Sequence, residues 1–314
     1  MSLIFILLSF FTFAEEKLLL TVLSPMDFIP REVIEEFQKL HPNTMVRFDF
    51  VINNATFERS FQNKRYDLVI ADQTILENFL DKKLLLPLKR DALRDVGLEG
   101  LVEQKHTFEK NNKNEKIFYT SLIVNPLGTI HRSQEDLKPS WDWLIKPYPK
   151  WRQSIYYDLT AQELMVLSEL ITNADVDYND QILPQDCAKW LKSFRLQKIN
   201  NLTTIIQGFL SGQLKVKVGY GLEYYHLHRI IKNLKFALPK EGTIYRNIGV
   251  GILERTKNYR EASQLASFLI QKKATIADYS GLLTTPPSKS KTIHQNLFHQ
   301  KLIQKVQKIE DEEP

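Results

Sequence analysis

The 314 residues suffice for two modest domains or one large one, and a composition 43 % hydrophobic and 25 % charged excludes a disordered chain. Its 42 basic and 37 acidic residues leave a formal charge of +5, yet Lys and Arg are scattered and no basic block stands beside interleaved aromatics. That pattern argues against a nucleic-acid surface, and a single cysteine, Cys187, excludes an internal disulfide.

Residues 2–13 form an uncharged, mostly apolar run that ends at Ala14 and is followed by Glu15 and Glu16. A run of this length is too short to span a bilayer and fits a signal-peptide core. Thr12 and Ala14 are small residues at the positions a signal peptidase reads, so 1–14 is expected to be a signal peptide. No Lys or Arg precedes the run, and a buried first strand is the alternative. Neither a later membrane span nor a lipid-carrying cysteine after the core is evident, which suits a soluble periplasmic protein.

In chain order, 18–23 has strand length, and Pro30 opens a helix with Val33, Ile34, Phe37 and Leu40 at helical spacing. Val46, Phe48 and Phe50 alternate as a half-buried strand does. Phe57 and Phe61 predict a helix, 67–71 a buried strand, and Ile75, Leu76 and Phe79 the next helix. A long strand follows at 117–124, then an amphipathic element begun by Trp141, Trp143 and Leu144, a strand at 154–157, and helices at 163–171 and 187–194. Lys215 and Lys217 alternate along 214–218, predicting a strand with one wet face. Strand 248–253 precedes a helix carrying Ala262, Leu265, Ala266 and Leu269 on one face, and 309–314 is acidic and expected to fray. Strands alternating with helices predict an α/β protein with a parallel-rich sheet. The absence of a low-complexity linker suggests two lobes between which the chain crosses more than once.

Several segments together resemble the periplasmic solute-binding proteins of ABC transporters, the spermidine/putrescine receptors above all. They are Phe28-Ile29-Pro30, Tyr66-Asp67-Leu68-Val69, the LLLPL run ending at Leu88, Ser140-Trp141-Asp142-Trp143-Leu144 with Lys146-Pro147, Pro239-Lys240-Glu241-Gly242 and Thr284-Thr285-Pro286-Pro287. The resemblance implies a type II-like fold of two α/β lobes joined by crossing strands near 122–124 and 244–246. It implies lobe 1 as 15–122 plus 246–287 and lobe 2 as 123–245 plus 288–314. It further implies a monomeric receptor, not an enzyme, without cofactor or metal, that closes on a small ligand and meets a membrane permease.

Polyamine sites pair carboxylates with aromatic walls, because ammonium groups need charged acceptors and methylene stems prefer flat apolar faces. By the resemblance, Glu163 falls on a ligand carboxylate and Tyr220 on an aromatic wall. Asp72 replaces a serine at the lip, Phe28 keeps a ring without its hydroxyl, and Thr74 replaces an aromatic. Pro25 stands in place of a tryptophan. Arg246 replaces another tryptophan and Ile248 the aspartate that grips an amine, so the inherited cation site is altered. Each residue also has a structural reading: Glu163 and Asp72 as helix caps, Tyr220 as core, Arg246 as a solvated surface residue.

Two other readings compete. Adjacent Tyr224 and Tyr225 resemble the phenolate pair of ferric-iron receptors, and hard Fe(III) suits oxygen donors. A thiamine-degrading enzyme of similar fold would need a cysteine nucleophile, for which only Cys187 is available.

Overall fold

A computed structural model describes residues 17–25, 27–51, 54–88, 108–109, 116–133, 140–141, 154–174, 183–193, 197–199, 201–287, 290–292, 304 and 306–308. The expected signal peptide, Trp143, Leu144, the Lys146-Pro147 pair, Phe194 and the acidic end lie outside the described residues.

The first lobe begins with β1 (Leu18–Pro25), α1 (Arg31–Leu40), β2 (Thr44–Val51), α2 (Asn54–Asn63), β3 (Leu68–Asp72), α3 (Gln73–Asp81) and β4 (Leu85–Leu86). β1 pairs parallel with β2 along its whole length and with β3 at Val22 and Leu23. The intervening helices make the crossovers that parallel neighbours require. Pro30 sits just before α1 with no N–H to leave unpaired, and Val33 and Phe37 are that helix's buried residues. Leu40, in the same periodic set, ends the helix and is 62 % exposed.

The middle of the chain holds β5 (Phe108–Glu109), β6 (Lys116–Ile117), β7 (Tyr119–Arg132), β8 (Ile155–Tyr157), α4 (Ala161–Thr172), α5 (Gln185–Ser193), β9 (Gln197–Lys198) and α6 (Leu202–Ser211). Then come β10 (Val216–Tyr220), α7 (Gly221–Ile230), β11 (Leu234–Ala237), β12 (Thr243–Leu253), α8 (Tyr259–Gln271), α9 (Lys273–Ser280) and β13 (Ser290–Thr292). The strands run in the order β2-β1-β3-β12-β7-β10-β8-β9, with β11 also on β7 and with β4 and β13 on β12.

β7 and β12 belong to both halves of this sheet. β7 pairs antiparallel with β12 from Tyr119 to Pro126, then with β10 from Leu127 to His131. β12 pairs with β13 at 243–245 and with β3 at 248–252. Core membership changes at the same places. Leu122, Ile123 and Ile248 join the core of β1, β3 and α8, while Leu127 and Ile244 join that of β8, β10 and α4. Each half-sheet carries a second apolar cluster on its other face, one around Phe57, Phe79 and Tyr119, the other around Ile130, Phe209 and Leu227. Two lobes with separate cores are thus joined by two long strands.

Trp141 and Glu241 connect two of the sequence segments noted above. The Trp141 indole N–H donates to the Gly242 carbonyl at 2.8 Å, and its backbone N–H to Glu241 Oε2 at 3.0 Å. Ser140 Oγ donates to the other Glu241 oxygen at 2.5 Å. One expectation is corrected: Lys217 does not lie on a wet face but is fully buried. Its ammonium donates to Glu223 Oε2 at 2.7 Å, and β7 and β8 flank its strand on both sides. A buried lysine persists when a carboxylate compensates its lost hydration.

Candidate functional site

Between the lobes lies a cavity of about 320 Å³. First-lobe residues Pro25, Asp72 and Ile75 and second-lobe residues Asp158, Glu163 and Tyr220 line it, with Arg246 and Ile248 from β12. Asp72 ends β3, Tyr220 ends β10 and Asp158 follows β8. The carboxyl ends of the strands therefore converge on the cleft, as open α/β sheets place their ligands.

Glu163 is built in from both ends. Thr160 and Glu163 form a capping box at the start of α4. Glu163 Oε2 accepts from the Thr160 N–H at 2.7 Å and from its hydroxyl at 3.0 Å. The other oxygen, Oε1, accepts from the Tyr220 hydroxyl and from Arg246 Nη2. The side chain is 1 % exposed. Burial pushes its carboxyl up, but the Arg246 guanidinium, the Thr160 contacts and the Tyr220 hydroxyl outweigh burial and hold it below the ordinary value.

Arg246 is the hub. Besides Glu163, its Nη1 lies 3.5 Å from Asp72 Oδ2, and its guanidinium carbon sits 4.7 Å from the Tyr220 ring centroid. Burial alone would lower its pKa, but Tyr220, Glu163 and Asp72 raise it well above the ordinary value. The Tyr220 hydroxyl is likewise raised, by burial first and by Glu163. Asp72 also caps α3, accepting from the Thr74 N–H at 3.0 Å and hydroxyl at 2.9 Å.

The cap and cleft readings of Glu163 and Asp72 therefore hold together: each carboxylate does both. Asp72, Glu163, Tyr220 and Arg246 line one cavity, as do Pro25 and Ile248. Thr74 supports the Asp72 cap and is not among the lining residues. Phe28 is fully buried in the first-lobe core and is not among the lining residues.

Sequence reasoning missed Asp158, Glu223, Asn125 and Thr160. The signal for Asp158 was an acid directly after a strand, and for Glu223 an acid in the first turn of the helix after β10. Asn125 Oδ1 accepts from the Leu222 N–H at 2.9 Å and so fixes the start of α7 against β7.

Tyr224 and Tyr225 do not form a phenolate pair at the cleft. Tyr224 packs on the cluster around Phe209 and stacks with Phe236, whereas Tyr225 packs on the first-lobe core beside Tyr279. Adjacent helix residues diverge by about 100°, so the rings enter different cores. No group of three or more His, Cys, Asp or Glu residues with metal-site geometry occurs among the described residues. Cys187 is buried on α5, with its sulfur 3.4 Å from the Thr172 hydroxyl, and does not line the cavity.

The fold of two α/β lobes is shared with solved substrate-binding proteins. Its structural neighbours include the spermidine/putrescine substrate-binding protein PotD from Streptococcus pneumoniae, with a TM-score of 0.73 at 16 % identity over 93 % of this chain and 97 % of that one. The TpPotD lipoprotein of Treponema pallidum gives 0.67 at 14 % identity over 93 % and 98 %. Iron-bound HitA from Pseudomonas aeruginosa gives 0.62 at 14 % over 94 % and 98 %. No family model and no curated protein sequence matches the chain.

Proposed function

We propose that this chain is the extracytoplasmic substrate-binding receptor of an ABC importer for a polyamine or a related small cation, delivered to a permease by closure of the two lobes. The observation that carries the reading is the acid surplus of the interlobe cavity: among its described lining residues Asp72, Asp158, Glu163 and Glu223 stand against Arg246, with the buried Lys217 ammonium behind Glu223 as the second cation. Carboxylates are strong acceptors for ammonium groups, each hydrogen bond contributing about 1.5–3 kcal/mol net. Val51, Phe57, Ile75 and Leu222 supply apolar wall for a methylene stem.

In this reading the mature protein is a periplasmic monomer beginning at residue 15. No helix among the described residues is long and apolar enough to cross a membrane. Lobe 1 is 15–122 with 246–287, and lobe 2 is 123–245 with 288–314.

A thermal-shift titration tests the reading, with putrescine, spermidine, butylamine, thiamine, ferric citrate and phosphate as separate arms. A ligand at a hundredfold over its Kd stabilises by about 2.7 kcal/mol, or roughly 5 °C or more for a chain of this size. A shift from the amines supports the reading. A shift confined to ferric citrate or phosphate overturns it.

A further inference from the structure

Two carboxylates and an aromatic face around one point make a receptacle for a cation, and here a cation is already in it. Arg246 Nη2 donates to Glu163 while Nη1 reaches Asp72 at 3.5 Å, and the guanidinium lies over Tyr220. These partners come from opposite lobes. Asp72 ends β3 in the first, and Glu163 and Tyr220 belong to α4 and β10 in the second. Arg246 itself sits on β12, paired with Asn125 of β7, where both strands pass between lobes.

The other carboxylates of the cavity are not equivalent. Glu223 is engaged by the buried Lys217 ammonium at 2.7 Å. Asp158 is exposed and makes no hydrogen bond or ion pair with the described residues. Among the described residues Arg246 and Lys217 thus serve three of the four carboxylates, and Asp158 alone has no cation partner.

We propose that Arg246 is a built-in counter-cation that fills the subsite of Asp72, Glu163 and Tyr220, tying the lobes together before ligand arrives and leaving Asp158 to receive a single ammonium group. This inference rests on the cationic reading of the cleft and narrows it, away from polyamines, to small monocations. A ligand with one amine docks on Asp158 beside the guanidinium. A ligand with two amines must expel Arg246 from a fork of two carboxylates or leave its second charge unpaired. The arginine holds 31 % of its side-chain exposure, so the subsite it fills opens to incoming solute.

The test uses the mature chain and two amines of equal stem, butylamine and putrescine, followed by titration calorimetry on wild type and Arg246→Gln. Wild type is expected to bind butylamine at least as tightly as putrescine. Arg246→Gln is expected to reverse that order, with a gain for putrescine of tenfold or more. Small-angle scattering supplies a readout free of ligand: Arg246→Gln without amine should have a larger radius of gyration than wild type. The double variant Glu163→Gln/Arg246→Gln, which removes the buried Glu163 charge together with its cation, should keep that expansion and lose the putrescine gain. Equal putrescine affinity in wild type and Arg246→Gln would remove the counter-cation while leaving a cationic receptor standing. Failure of both proteins to bind either amine would remove the cationic reading and this inference with it. Unchanged scattering in both variants would likewise overturn the lobe-tying role.

Discussion

Glu163 sits where four contacts converge on one carboxylate, and its protonation should govern acid stability. Its folded pKa is depressed, so the contribution of the pair is complete above the unfolded carboxyl value of about 4.3 and is lost as pH falls through the lower folded value. Wild-type Tm is therefore expected to drop below about pH 4, and Glu163→Gln to flatten that limb in a Tm-against-pH series. At pH 7 the same variant leaves Arg246 with only Asp72. Breaking a buried pair costs about 3–5 kcal/mol, reduced here to about 2 because the guanidinium keeps part of its hydration. Phe28 behaves differently. Phe28→Ala should cost about 3–5 kcal/mol in urea unfolding, yet leave ligand affinity of the folded protein within a factor of two, since the ring lies in the core.

At the scale of elements, β7 and β12 carry the connection between lobes, and their close approach is built on glycine. The register of the pair shifts between Ile248 and Gly249, and a Cβ at Gly249 would stand 2.7 Å from the Thr120 carbonyl oxygen. The obstacle is backbone, so the strands must part to admit it. Gly249→Ala is expected to destabilise by about 1–3 kcal/mol, read by chemical denaturation, and to speed amide exchange along Tyr119–Arg132. Trp141 makes a second connection, pinning its segment to the turn before β12. Trp141→Phe loses the indole donor and leaves the Gly242 carbonyl unpaired, an expected loss of about 1–3 kcal/mol by thermal unfolding.

For the whole molecule, two cores joined by two strands leave the lobe-to-lobe angle as the soft coordinate. Side-chain bridges cross that division, Arg246 to Glu163 and Arg229 to Asp27 at 3.4 Å. Ligand that closes the cleft should slow hydrogen exchange at 72–76, 158–163 and 220–223. α1 and α5, which line no part of the cavity, should exchange unchanged. Equal slowing in both sets would mean general stabilisation rather than closure.

The lobes were legible along the chain because their signals are local. Short apolar runs marked β1 and β3, and the spacing of Ala262, Leu265, Ala266 and Leu269 marked the buried face of α8. Two long-range facts were not local. Lys217 alternates like a surface residue, yet it is fully buried on β10 with its ammonium on the Glu223 carboxylate. Phe28 lies next to a cleft segment in sequence, but its ring lies in the core. The sequence by itself determined the alternation of strands and helices and the acids that cap α3 and α4, since periodicity and capping act over a few residues. Tertiary structure alone decided that Arg246 meets Asp72 and Glu163, 174 and 83 residues away along the chain. Such a contact depends on how two lobes are set across β7 and β12, which no local pattern encodes.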